Sequence, residues 1–223
     1  MLRTNRKFDN SERNENNCYN ESLFSKSTAY LGVSSMHFKN QQIIPATRNI
    51  KDFEELTKTN FEYIILLESY LTQIQSLVNM AKENGKKVLI HADMIKGLKH
   101  DEYAAQFLCQ VIKPAGLIST HPSVISVARK HKLISVTRLF LIDSYALNTA
   151  YRMLEKCPPD YIEVMPGVVP NVIQEIHTRT ALPIIAGGLI RTIDDVNTII
   201  DAGACAVTTS DKNILKSKNY QDK

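Results

Sequence analysis

The sequence predicts an α/β protein: a small (β/α)8, TIM-like barrel. Three observations point there. Between residues 41 and 216, a short apolar run followed by an amphipathic stretch recurs eight times. The runs are continuously apolar rather than alternating, as strands covered on both faces require. Their C-terminal ends collect Arg, Glu, His, Asp, Thr and Gly, the end at which such barrels work. An open doubly wound sheet is the alternative, which eight consecutive units disfavour. The repeat covers only about 180 residues, short for this fold, so loops must be brief and some helices reduced.

The elements follow in order. "QQIIPAT" is the first strand and "NIKDFEELTKT" its helix; "YIILLE" is the second strand. In "YLTQIQSLVNMAKENG" the residues Leu71, Ile74, Leu77, Val78 and Ala81 mark one helix face, and Gly85 the stop. "KVLIHAD" with "DEYAAQFLCQVI" and "GLIST" with "PSVISVARKH" are units three and four. "ISVTRLFLID" is too long for one barrel strand, so the fifth is expected to end near Arg138, with Asp143 or Ser144 capping the helix "SYALNTAYRMLEKC". "YIEVMPG" with "PNVIQEIHTRT", "LPIIAGG" with "TIDDVNTIIDAG", and "ACAVTTS" with the short "KNILK" complete the set.

Residues 1–40 stand apart. They are rich in Asn, Ser and charge and poor in apolar side chains, so they cannot bury enough surface to offset the entropy of ordering. A flexible extension is expected there, at least over the first 30 or so residues; a basic arm through Arg3, Arg6 and Lys7 is the sharper reading. Residues 217–223 form a polar tail. The net charge of +4 permits a nucleic-acid partner without requiring one. Cys18, Cys109, Cys157 and Cys205 are widely spaced, which fits reduced thiols rather than a disulfide framework or a metal site. No apolar run approaches a membrane span, and the N-terminus lacks a signal-peptide core, so a cytoplasmic protein is expected.

Barrels of this kind often bind phosphate between the loops after strands seven and eight. Gly187 and Gly188 end the seventh strand, and Thr208, Thr209 and Ser210 end the eighth. Glycines let the backbone approach an anion, and hydroxyls add donors. A tight turn alone would also explain the glycines. Arg191 and Lys212 read equally as counter-charges or as solvated residues, and Asp211 as the cap of the short helix. His91 and Asp93 are two apart and are expected on one side of the third strand, as ligand-facing groups or as satisfied core residues. Arg138 and Glu163 are the candidate partners of Asp93 across the mouth, or a structural ion pair. No lysine lies in the C-terminal half of a strand, which argues against Schiff-base aldolase chemistry. Paired metal-binding histidines are absent, and no cofactor is implied. A carboxylate base leaves an epimerase or isomerase open. Lys96 and Lys99, with Arg129, Lys130 and Lys132, and Lys82, Lys86 and Lys87 before them, could merge into a basic patch or be plain solvated surface.

At these residues the chain resembles the glycerol-3-phosphate-responsive antiterminators of glycerol uptake operons. The resemblance spans about residues 41–215 and rests on "IIPATRNIKDFEEL", "HADMIKGLKHDEYAAQFL", "IKPAGLIST", "DYIEVMPGVVP" and "AGGLIRTIDDV" followed by "AGACAVTTSDK", in that order. It implies a transcription regulator, not an enzyme. Glycerol 3-phosphate would be the effector and leader mRNA of glycerol operons the partner, with no membrane involved; a homo-oligomer is compatible with this. The phosphate would lie on Gly187, Gly188, Thr208, Thr209 and Ser210; from their position alone, Asp93, Glu163 and Arg138 are expected near the glycerol hydroxyls or gating loops. Where the family pattern usually has a basic residue after "IST", this chain has His121. A phosphate-sugar barrel enzyme and a plain metabolite-binding protein remain the alternatives, since fold does not fix function.

Overall fold

A computed structural model describes His37, Phe38 and residues 40–217. The region read as a flexible extension lies mostly outside the described residues, as does the tail beyond Ser217. Eight parallel strands close into a barrel: β1 (Ile43–Thr47), β2 (Tyr63–Leu66), β4 (Lys87–His91), β6 (Gly116–Ser119), β7 (Ile134–Phe140), β8 (Tyr161–Met165), β9 (Ile184–Gly187) and β10 (Ala204–Thr209). Two further strands, β3 (Ser69–Tyr70) and β5 (Ile95–Lys96), pair as a small parallel ribbon that the sequence pattern does not reveal. The helices are α1 (Ile50–Leu56), α2 (Ile74–Glu83), α3 (Glu102–Phe107), α4 (Pro122–Lys130), α5 (Ser144–Lys156), α6 (Pro170–Thr180), α7 (Ile193–Asp201) and α8 (Lys212–Lys216).

Local chemistry sets the element ends. Asp143 caps α5 by accepting from the Ala146 N–H at 2.7 Å, and Asp211 caps α8 by accepting from Asn213 and Ile214. Thr192 and Asp195 form a reciprocal capping box at α7. Gly85 takes the left-handed conformation that ends α2 (φ +70°). The third helix is shorter than its sequence suggests, because a π-helical turn at Leu108–Ile112 replaces its last turns. Strand β7 does not end at Arg138 but runs to Phe140, where it is paired in register with Met165 of β8.

The core has an inner and an outer part. Ile44, Ile65, Leu89, Ile118, Val136, Ile185 and Ala206 fill the barrel interior. The opposite strand faces meet the helices in two larger clusters. Phe38 packs against Tyr63 and Tyr161, the first residues of β2 and β8, with ring centroids 4.9 and 4.7 Å away. It is buried, so the folded part reaches back to Phe38, inside the segment read as extension. It closes the N-terminal end of the barrel, hereafter the floor. The other end stays polar and forms the mouth.

Candidate functional site

Alternation along the strands carries the inward face from the apolar interior to the mouth. Val136 points in, and so does Arg138 two residues on; Tyr161 leads in the same way to Glu163, Ile185 to Gly187, Ala206 to Thr208 and Leu89 to His91. Arg138 and Glu163 lie directly opposite each other on β7 and β8 and are 6% and 1% exposed. Arg138 Nε donates to Glu163 Oε2 at 2.7 Å, and the Thr208 hydroxyl donates to Glu163 Oε1 at 3.1 Å. A Cβ on Gly187 would fall on the Thr208 hydroxyl and within 3.1 Å of Glu163 Oε1, so this network requires glycine there. Among the described residues no acceptor takes the other N–H groups of Arg138, and neither Nη is sealed from solvent. The guanidinium is thus anchored at one edge and offers its fork to the mouth.

His91 is 3% exposed, and its Nδ1 has no hydrogen-bond partner. Burial, reinforced by the Arg138 charge, pushes its pKa down to about 4 against an opposing pull from Asp93. At neutral pH it is an uncharged imidazole, with one nitrogen to donate and one to accept. Asp93 does not pair with Arg138 or Glu163 as the sequence suggested. It lies beyond the strand, on the 3-10 turn Ala92–Met94, and reaches the end of neighbouring β6. The Ser119 hydroxyl donates to its Oδ1, and the Thr120 N–H and hydroxyl both donate to its Oδ2 at 2.8 Å. Burial alone would raise its pKa, but these donors outweigh it and hold the carboxyl below the usual range. Ser119 and Thr120 are the partners that sequence reading missed; their signal is a hydroxyl pair at the end of the strand beside "HAD".

The phosphate-site candidates divide. Gly188 has φ +81° and, with exposed Leu189 (φ +62°), forms a left-handed turn at the end of β9. The loop after β8 packs on it, with the Gly167 N–H donating to the Gly187 carbonyl at 2.6 Å. Thr208 faces the barrel interior and is committed to Glu163. Thr209 faces the other way, and its hydroxyl accepts from the Asp211 N–H at 3.1 Å. Ser210 is exposed at the rim. Arg191 is exposed, and its N–H donates to Asp195.

The basic candidates also separate. Lys96 lies at the mouth end, 4.0 Å from Glu68 and 5.0 Å over the Tyr70 ring, with exposed Lys99 nearby in sequence. It lines a cavity of about 470 Å³ with Arg48, Lys51, Glu68 and Ser69. Arg129, Lys130 and Lys132 lie at the end of α4, on the floor. Sequence reading also missed an exposed apolar rim beside the mouth, formed by Phe140, Ile142 and Tyr145. Among the described residues no three His, Cys, Asp or Glu side chains converge to hold a metal, and no helix is long and apolar enough to cross a membrane.

Comparison with known proteins places this geometry among relatives. A family model described as "Glycerol-3-phosphate responsive antiterminator" matches residues 43–215, the whole barrel. The crystal structure of the glycerol uptake operon antiterminator regulatory protein from Listeria monocytogenes is 44% identical, with a TM-score of 0.80 over 82% of this chain and 98% of that one. A glycerol uptake operon antiterminator-related protein from Thermotoga maritima is 28% identical, with a TM-score of 0.69 over 78% and 97%. The uncharacterized protein YgcP of Escherichia coli is 29% identical over 172 residues, 77% of this chain and 90% of that one.

Proposed function

The chain belongs to the glycerol-3-phosphate responsive antiterminator family, and from that premise we propose that it is an effector-gated regulator of transcription rather than an enzyme. Glycerol 3-phosphate binds at the barrel mouth, and the liganded protein acts on leader mRNA of glycerol-utilisation operons to prevent early termination. Its phosphate rests against the Gly187–Gly188 turn and Ser210, with the free fork of Arg138 as counter-charge, a geometry suited to an oxyanion. Neutral His91 faces the glycerol hydroxyls.

One observation favours binding over turnover. Glu163 and Asp93 each have both oxygens engaged: Glu163 by Arg138 and Thr208, Asp93 by Ser119 and Thr120. Carboxylates already held by the protein's own donors suit a ligand that is held and released unchanged. Its effect on the protein then comes from its differential affinity for two states.

The test is transcription in vitro across a glycerol-operon leader terminator, with purified protein and with or without glycerol 3-phosphate. Read-through should rise only when both are present. Read-through that ignores the effector, or conversion of glycerol 3-phosphate by the protein, contradicts the proposal.

A further inference from the structure

Lys96 and Lys99 do not share a surface with Arg129, Lys130 and Lys132 of the next unit. Strands run from floor to mouth and helices return, so the turn after each helix lies on the floor. Three such turns adjoin one another, because they precede the neighbouring strands β4, β6 and β7. The first carries Lys82, Lys86 and Lys87, the second Lys113, and the third Arg129, Lys130 and Lys132. Glu83, Glu62 and Asp160 are the acids at this end; Glu62 is bound to Lys87 at 2.7 Å, and Asp160 accepts from Ser135.

At the mouth Arg48, Lys96 and Lys212 have carboxylate partners, Glu68, Glu68 and Asp52, whereas Lys51 and Lys99 have no ion pair among the described residues. On the floor Lys82, Lys113, Arg129, Lys130 and Lys132 are exposed, and among the described residues none has an acidic partner. Unneutralised cations on adjacent turns make a field that attracts a polyanion.

The backbone adds a second observation. Lys113 (φ +54°) and Lys132 (φ +58°) occupy left-handed positions just after their helices, where glycine is the favoured residue. The turn after α2 uses glycine at the equivalent place, Gly85. Two adjacent turns therefore hold a lysine in a conformation that a side chain disfavours. Uncharged Ala181 (φ +54°) takes the same position after α6, so the conformation itself does not call for charge; these two adjacent turns differ in placing a cation there.

We infer that the RNA phosphate backbone is held on the floor of the barrel, by the arc formed by Lys82, Lys113, Arg129, Lys130 and Lys132, and not at the mouth. This rests on the RNA-binding reading above and adds where the RNA lies. Effector and RNA occupy opposite ends and do not compete for space. The contacts are to phosphates, so they supply salt-dependent affinity and position the RNA without reading its bases.

The test uses the full chain and two variants, Lys113→Gly/Lys132→Gly and the same pair changed to Asn, which also tolerates the left-handed region. Binding of labelled glycerol-operon leader RNA is titrated over a range of salt, beside thermal melting and glycerol 3-phosphate binding. The glycine pair should melt at higher temperature and yet bind leader RNA at least about fivefold more weakly. Its log–log salt slope should be shallower by about 2, since each lysine removed leaves one phosphate un-neutralised. The asparagine pair should show the same drop in affinity, and effector binding should stay. Lysines that do not touch RNA predict the same rise in melting temperature with unchanged RNA binding. If the wild type binds leader RNA and both variants bind it equally well, the floor assignment fails alone. If the wild type does not bind leader RNA, the function proposed above fails and this inference with it.

Discussion

Arg138 and Glu163 show what decides the mouth at the scale of single residues: which partner each charge has found. Both are buried, and removing one leaves the other uncompensated, which costs about 3–5 kcal/mol. Arg138→Met should therefore lower unfolding stability in urea by that order, and Arg138→Met/Glu163→Leu should recover most of the loss. The single change should also abolish glycerol 3-phosphate binding, because the fork is gone. His91 gives a pH signature. Its folded pKa, about 4, is below the unfolded value near 6.5, so the unfolded chain binds more protons between those limits. Stability from this group is complete above pH 6.5 and falls as pH drops toward 4, by up to about 3 kcal/mol. His91→Gln should flatten that part of the stability–pH curve; an unchanged slope would mean that the imidazole is not held neutral. The identities of these residues are legible in the sequence, because charged groups at strand ends stand out. The Arg138–Glu163 ion pair is one of the two readings the sequence leaves open; the partners of Asp93 are not legible. Arg138 and Glu163 bind each other because they share a register position, and Asp93 leaves the strand parity because its turn carries it to Ser119 and Thr120.

At the scale of elements, the sequence marks strands and caps well and connections poorly. Continuous apolar runs locate all eight barrel strands, and Asp143 and Asp211 cap the helices assigned to them. Asp143→Ala should cost about 1 kcal/mol of stability, measured by thermal or urea unfolding, as loss of an N-cap does elsewhere. The end of β7 departs from expectation because its length is set by its neighbour: β8 continues to Met165 and offers Phe140 a partner. The β3–β5 ribbon has two residues per strand, too short for any periodicity, and Lys96 is held there by Glu68 and Tyr70. Two glycines mark the turn after β9 as permissive, and the structure gives a different reason for each. Gly187 makes room for Thr208 and Glu163, whereas Gly188 supplies a positive φ with Met165 Cε only 3.0 Å from where a Cβ would stand. Gly188→Ala should weaken glycerol 3-phosphate binding in calorimetry more than it lowers the melting temperature of the whole barrel, since the strain falls on the loop. An equal effector affinity in that variant would remove this turn from the site.

The whole molecule is a closed ring with two polar ends. The mouth gathers Arg138, Glu163, His91 and the Gly187–Gly188 turn; the floor carries unpaired cations on three adjoining turns. A strand of five residues such as β4 separates them by roughly 17 Å. On the proposed placement of effector and RNA, communication between the ends would run through the barrel rather than through shared contacts, and the two ligands would have to favour the same state. Linkage then requires leader RNA to raise affinity for glycerol 3-phosphate by the same factor as the reverse. The relation between the two ends is not legible in the sequence. Lys96 and Lys99 belong to the unit before Arg129, Lys130 and Lys132, and the path of the chain puts the first pair at the mouth and the other three on the floor. The measurement that bears most directly on effector-gated RNA binding is a titration of purified protein into labelled glycerol-operon leader RNA at near-physiological salt, with and without saturating glycerol 3-phosphate, beside a control RNA of equal length. Tighter binding of the leader in the presence of the effector, with no response from the control, is the expected result. Equal affinity for leader and control under both conditions would contradict it.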